Sequence, residues 1–176
     1  MTKRNVMIRM LTSRLELGAS LFDDAEDEEC EACEECEEEL PNFDLAAMLG
    51  EMPEPDEMLT EGRLVTTETR VELIWEESEL TGMAGSITAV GFHRNNPALI
   101  SMMRTGTVRT AMTFEEGKRH YCLYNTPYSD FEVCVRAVRV ENRLLSDGVL
   151  NLDYLVEIHG AQAEHCRMNI TVKNRE

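Results

Sequence analysis

Hydrophobic and polar residues alternate with a period of two along most of the chain, which is typical of β-strands with one buried face. The longest such run places hydrophobic side chains at Leu150, Leu152, Tyr154, Val156 and Ile158. Shorter runs begin near residues 6, 71, 108 and 166. Together with the turn residues between them, these runs predict about ten antiparallel strands in a barrel or a sandwich. An up-and-down barrel is favoured because most connections look like hairpins and because closure removes exposed strand edges.

Two local features refine this prediction. Val133 and Val135 share one parity, whereas Val138 and Val140 continue with the opposite parity. One additional residue near position 136 or 137 restores the alternation, so the sequence predicts a β-bulge there. The Asp-Gly pair at 147–148 predicts a two-residue hairpin turn.

Charge is distributed very unevenly. The formal net charge is -17, yet residues 20–61 hold 18 acidic residues and no Lys, Arg or His, while the rest of the chain holds 16 acidic and 17 basic residues. The sequence therefore predicts a first barrel strand in residues 1–19, an acidic insertion at 20–61 and the remainder of the barrel at 62–176. Such a block repels itself and has few aliphatic residues, so we expect disorder, or partial helix at 43–52 where hydrophobic residues follow helical spacing.

Composition excludes several classes of function. The negative charge argues against nucleic-acid binding, which needs a basic surface. The sequence has no run of 18 apolar residues, so it predicts no membrane-spanning helix. Arg9, Arg14 and Glu16 interrupt any signal-peptide core, and a cytoplasmic, reducing location is expected. In that setting the six cysteines are expected to be free thiols or metal ligands rather than disulfides.

The acidic insertion contains one candidate metal site. Cys30, Cys33 and Cys36 have the three-residue spacing found in zinc and iron–sulfur centres. The fourth position of a ferredoxin-type motif is Leu40, and no histidine lies nearby to complete a ligand set. A low-complexity stretch without a bound ion is the alternative, and zinc or iron are the cofactors that the motif would hold.

Five short motifs, read in order, carry a resemblance to a known family. The chain closely resembles the YwiB-like family of bacterial proteins through TEGRL (60–64), WEESELTGM (75–83), MMRTG (102–106), FEEGKRH (114–120) and LYNTPY (123–128). The resemblance implies a calycin- or lipocalin-like antiparallel β-barrel of about 8–10 strands and carries no assigned function. The long acidic insertion between the first two strands is not typical of that family.

These motifs also contain the candidate ligand-binding residues. Acidic, basic and guanidinium groups near one another can bind an anionic or zwitterionic molecule, and arginine recognises carboxylate or phosphate with two parallel hydrogen bonds. The alternative is structural, because Glu–Arg pairs on neighbouring strands are ordinary stabilisers of a sheet. The candidates are Glu77, Glu79, Arg104, Arg119, His120 and Tyr124.

These observations lead to three alternative hypotheses for the function. The first is a non-enzymatic barrel that binds a small molecule or a partner. The second is an interaction module whose acidic insertion docks a basic protein, with strong dependence on salt. The third is an enzyme that uses Glu77 or Glu79 with His120 as acid and base, which requires those side chains to face one another.

Overall fold

The computed structural model describes residues 1–17, 51–158 and 163–175 of the chain. Within these ranges ten antiparallel strands form a closed barrel, and each strand pairs with its neighbours in sequence. The first and last strands also pair with each other, which closes the ring and confirms the up-and-down prediction. No helix in the described ranges is long and apolar enough to cross a membrane. The strands are β1 (Thr2–Leu17), β2 (Asp56–Thr66), β3 (Arg70–Glu76), β4 (Ser86–His93), β5 (Asn96–Gly106), β6 (Arg109–Phe114), β7 (Arg119–Asn125), β8 (Asp130–Arg143), β9 (Val149–Ile158) and β10 (Ala163–Asn174).

Side chains fill the middle of the barrel. Alternate residues of every strand point inward, and Ile8, Leu73, Ile100 and Phe114 have no exposed surface. The Phe114 and Tyr154 rings meet edge to face with centroids 4.8 Å apart. Each such burial contributes about 1.5–3 kcal/mol of hydrophobic free energy. The interior of this part of the barrel is therefore a packed core.

The β-bulge predicted near residues 136–137 is confirmed. The pairing of β8 with β9 shifts between Ala137 and Arg139, so Val138 is the additional residue. Ala137 and Val140 then both lie on the inward face, because the bulge reverses the parity of all following residues.

The two-residue turn predicted at 147–148 is wrong. Arg143 pairs with Val149, so five residues connect the strands. The cause is tertiary: the side chain of Leu144 is buried in the core, which draws the loop inward. Gly148 closes the loop with φ 70°, and its carbonyl accepts a hydrogen bond from the Val172 amide at 2.7 Å.

The acidic insertion ends earlier than the run of acidic residues predicts. β2 begins at Asp56, so the last six residues of the segment predicted as insertion belong to the barrel. Met58 and Thr60 are half-buried on the inward parity of β2, which explains why this acidic stretch still forms a strand. Residues 51–55 have no regular secondary structure. The predicted disorder upstream of residue 51 and most of the helix predicted at 43–52 fall on residues 18–50, which lie outside the described residues. The last two residues of that predicted helix, 51 and 52, are described and are not helical.

Candidate functional site

A row of inward-facing residues crosses five strands near one end of the barrel. Antiparallel pairing sets Trp75 opposite Thr88, Thr88 opposite Arg104, Arg104 opposite Thr110, and Thr110 opposite Tyr124. Laterally paired residues on one face of a sheet have side chains in contact distance. Glu77 follows two residues after Trp75 and belongs to the same face. We call the barrel end formed by Glu77, Thr88, Arg104, Thr110 and Tyr124 the polar mouth.

A buried ion pair lies at the centre of the polar mouth. The Arg104 Nε donates a hydrogen bond to the Thr88 hydroxyl at 3.0 Å, and this hydroxyl donates to the Glu77 Oε1 at 2.5 Å. The Arg104 Nε and Glu77 Oε1 atoms are 3.6 Å apart, with only 9% and 2% of the two side chains exposed. Thr88 thus bridges two charges that compensate each other away from solvent.

Two further donors of the polar mouth, and the neighbouring Ser78 hydroxyl, reach weak acceptors. Among the described residues, three side-chain donors hydrogen-bond to thioether sulfurs, which accept hydrogen bonds far less well than oxygen does. Such donors gain when an oxygen atom replaces the sulfur as their acceptor. The three contacts are Arg104 Nη2 to Met102 Sδ at 3.7 Å, Tyr124 OH to Met83 Sδ at 3.7 Å, and Ser78 Oγ to Met58 Sδ at 3.9 Å.

The opposite wall of this barrel end adds a second arginine and a neutral phenol. Arg14, Cys166 and Tyr154 are lateral neighbours on β1, β10 and β9. Burial raises the pKa of Tyr154, although the positive charges of Arg14 and Arg104 act in the opposite direction. The Tyr154 hydroxyl therefore stays protonated at neutral pH and remains a donor. Arg14 is exposed and forms no ion pair within the described part of the chain.

The thiol of Cys166 is expected to react slowly with iodoacetamide in the folded protein. Burial raises its pKa from 9.0 to about 11. At pH 8 the thiolate fraction of Cys166 is therefore about a hundredfold lower than that of a cysteine with a pKa of 9.0. Only the thiolate reacts with iodoacetamide. The rate should rise about tenfold per pH unit until pH 11. Peptide-resolved mass spectrometry measures it, and a rate equal to that of unfolded protein at pH 8 contradicts the burial of this thiol.

The candidate residues divide into two groups. Glu77, Arg104 and Tyr124 meet at the polar mouth, whereas Glu79 is exposed in a 3₁₀ turn at Glu79–Thr81. Arg119 has the outward parity of β7. His120 faces inward but lies four residues before Tyr124 on β7, about 13 Å along the strand.

The surroundings of His120 belong to the other end of the barrel. Its Nε2 lies 3.3 Å from Glu115 Oε2, and Glu115 directly follows the last residue of β6. Glu77, a residue of the polar mouth, and the exposed Glu79 both come after the end of β3, at the barrel end opposite to His120. The acid–base pair that the enzyme hypothesis requires is therefore not formed by these residues.

Sequence reasoning missed the two threonines of the polar mouth. Thr88 and Thr110 are 0% and 7% exposed, and each pairs laterally with Arg104. Threonine is common in strands, so neither residue carries a chemical signal of its own. Only their position in the strands could have identified them. Both residues point inward in strands whose other inward residues, such as Val90 and Met112, are mostly apolar.

The candidate metal ligands lie elsewhere. Cys30, Cys33 and Cys36 fall outside the described residues, as does most of the acidic insertion. Within residues 1–17, 51–158 and 163–175 no group of three or more His, Cys, Asp and Glu side chains is arranged to hold a metal ion. Binding of zinc or iron, and docking of a basic partner by the insertion, remain predictions.

Fold and site together define an all-β protein, a closed ten-stranded barrel with a buried ion pair at one mouth. Residues 48–170 match the model of the domain of unknown function DUF1934, and the chain belongs to this family. The match includes every residue of the polar mouth. None of the curated proteins matches the chain.

A solved structure supports the same architecture. The crystal structure of the ywiB protein from Bacillus subtilis superposes with a TM-score of 0.59. The alignment covers 98% of this chain and 94% of that chain at 14% sequence identity. At this identity the similarity shows a shared barrel fold, and it carries no information on the role of the polar mouth.

Proposed function

We propose that this protein is a non-enzymatic binding protein that takes a small anionic molecule at the polar mouth. The observation that carries the proposal is the state of the Arg104 guanidinium. Thr88 and Glu77 hold its Nε edge, while its Nη2 reaches only the Met102 sulfur. A guanidinium held along one edge is preorganised to offer its other edge to an oxyanion.

The charges of the polar mouth favour an anion. Arg104 is compensated by Glu77, whereas Arg14 on the opposite wall has no carboxylate partner in the described residues. The net charge contributed by these three side chains is therefore positive. A carboxylate or a phosphate matches the planar fork of arginine, and the Tyr124 hydroxyl can exchange the Met83 sulfur for a ligand oxygen.

The packed interior limits the size of the ligand. Met102 and Phe114 lie below the polar mouth and are 1% and 0% exposed. Two clefts in the described part of the chain are lined mostly by side chains of the outer wall, and neither of these two includes Arg104 or Tyr124. The ligand therefore binds at the end of the barrel, by displacing the side chain of Met83, rather than in a deep cavity.

Binding without catalysis fits the same geometry. His120 lies at the other end of the barrel from Glu77. Burial raises the pKa of Cys166 to about 11, which keeps its thiol protonated at neutral pH and makes it a poor nucleophile. The groups at the polar mouth are suited to hold an anion rather than to transform it.

Protein purified from its own host cells is expected to carry a small anion. Native mass spectrometry should show an added mass on the wild-type chain that is reduced or absent in Arg104→Lys, because lysine keeps the charge but loses the fork of donors. Arg119→Lys is the matched control, since Arg119 has outward parity on β7. An equal added mass on all three proteins places the ligand away from the polar mouth.

A further inference from the structure

A cleft of about 770 Å³ lies between β2 and β3 and does not include the ion pair of the polar mouth. On one side it is lined by Leu59 and Gly62 of β2, and on the other by Ile74 and Glu76 of β3 and Ile87 of β4. Leu59 and Ile87 are 65% and 45% exposed. Exposed aliphatic residues on both sides of a cleft are typical of a surface that receives a partner. We call this feature the β2 cleft.

The β2 cleft exists because β2 is longer than its pairing with β3. β2 pairs with β1 over its whole length, from Asp56 to Thr66. It pairs with β3 only from Gly62 to Thr66, although β3 continues to Glu76 alongside β4. Within the described residues, positions 56–61 therefore have one edge with no neighbouring strand. Their backbone N–H and C=O groups on this edge can pair with an additional extended chain.

The charged side chains around this edge determine which charge an additional strand should carry. Residues 51–61 contain five acidic residues and no basic residue. Glu57 is paired with Arg9 at 2.6 Å and Glu61 with Arg175 at 2.6 Å. The carboxylates of Glu51, Glu54 and Asp56 form no ion pair in the described part of the chain, and neither does that of Glu76 across the cleft. Arg63 also lines the cleft and forms no ion pair in the described part of the chain. Four unpaired carboxylates near the edge therefore outnumber one unpaired guanidinium, so the approach to the edge is negative and attracts basic segments.

The same charges disfavour a second copy of this protein as the occupant. Two copies of residues 56–61 related by a two-fold axis at Leu59 would form an antiparallel pair with Glu57 opposite Glu61 of the other copy. Directly opposed like charges destabilise a strand pair. A basic extended segment meets no such repulsion, and its apolar residues can pack on Leu59 and Ile87.

We propose that residues 56–61 accept a basic, extended segment of a partner protein as an additional β-strand in the β2 cleft. Backbone hydrogen bonds supply affinity in this mode, and alternate side chains supply specificity. Residues of the segment that lie opposite Leu59 share its outward face and are apolar. The lysines or arginines between them share the face of Asp56.

The test uses an alternating lysine–valine hexapeptide and a glutamate–valine hexapeptide of the same length with the full chain. The lysine peptide should slow hydrogen exchange of backbone amides within residues 57–61 and change the emission of Trp75, the single tryptophan, which lines the cleft. Binding should weaken as salt rises. Leu59→Lys should reduce the affinity about tenfold, because it removes apolar contact and adds repulsion.

Leu123→Lys is the matched control, since Leu123 is 59% exposed on the outward face of β7, away from the cleft. It should leave the affinity unchanged, and so should Arg104→Lys, which separates this proposal from ligand binding at the polar mouth. Equal binding of both peptides overturns the proposal, as does a Leu59→Lys variant that binds like the wild type. Protection of residues 57–61 that depends on protein concentration without peptide would identify a second copy as the occupant and also overturn it.

Discussion

Glu77→Ala is expected to lower the free energy of unfolding by about 3–5 kcal/mol, because it leaves a buried guanidinium without its counter-charge. The Arg104 and Glu77 side chains are 9% and 2% exposed, so water cannot replace the lost carboxylate well. The substitution also removes the acceptor of the Thr88 hydroxyl. Urea denaturation followed by circular dichroism measures the change, with the slope of the transition checked for constancy.

Two control variants separate the effect of burial from that of charge alone. Glu72→Ala removes one partner of the Arg70–Glu72 pair, whose side chains are 37% and 34% exposed, and should cost less than about 1 kcal/mol. The double variant Glu77→Leu/Arg104→Met replaces the buried pair by apolar groups and should recover most of the loss. If Glu77→Ala costs no more than Glu72→Ala, the ion pair is not buried as described.

Phe114→Ala is expected to lower the free energy of unfolding by about 3–5 kcal/mol through loss of burial and creation of a cavity. Phe114 is fully buried and meets the Tyr154 ring edge to face at 4.8 Å. Its lateral partner Ile100 is fully buried as well, so the barrel has little freedom to collapse around the cavity. Thermal and urea denaturation should agree on the size of the loss.

Leu123→Ala provides the comparison, because Leu123 is 59% exposed, and a surface change of this kind alters stability by about 0.5 kcal/mol or less. Phe114 lies at the end of β6 remote from Thr110. Anion affinity at the polar mouth should therefore be nearly unchanged in Phe114→Ala. A stability loss similar to that of Leu123→Ala would mean that the interior is open rather than packed.

The sequence was informative about the barrel because strand periodicity is local. The parity change between Val135 and Val138 located the bulge, and the alternation at 150–158 defined β9. The loop at 144–148 was not predictable from its Asp-Gly pair, since the burial of Leu144 depends on residues far away in the chain. The start of β2 at Asp56 was not predictable from the sequence, because Asp56, Glu57 and Glu61 are exposed acidic residues that resemble the rest of the acidic insertion.

The polar mouth was only partly predictable, because its residues are brought together by contacts between distant parts of the chain. Adjacent residues of a strand point to opposite faces, so Arg119 and His120 could not share one side of the wall. The barrel end at which a residue lies depends on the register of several strands. This long-range register places His120 and Tyr124 at opposite ends, and a short sequence motif does not reveal it. The bridging role of Thr88 follows from its lateral position between Trp75 and Arg104, which no short motif encodes.

The central claim, that Arg104 receives a small anion at the polar mouth, is tested most directly by calorimetric titration. The titrant is the anion found on the purified protein, added to ligand-free wild type and to Arg104→Lys. The structure predicts one site per chain and an affinity about 10- to 100-fold weaker in the variant, corresponding to one charge-assisted hydrogen bond of about 1.5–3 kcal/mol. Equal affinity of the two proteins, or an absence of any bound anion on the wild type, would contradict the claim.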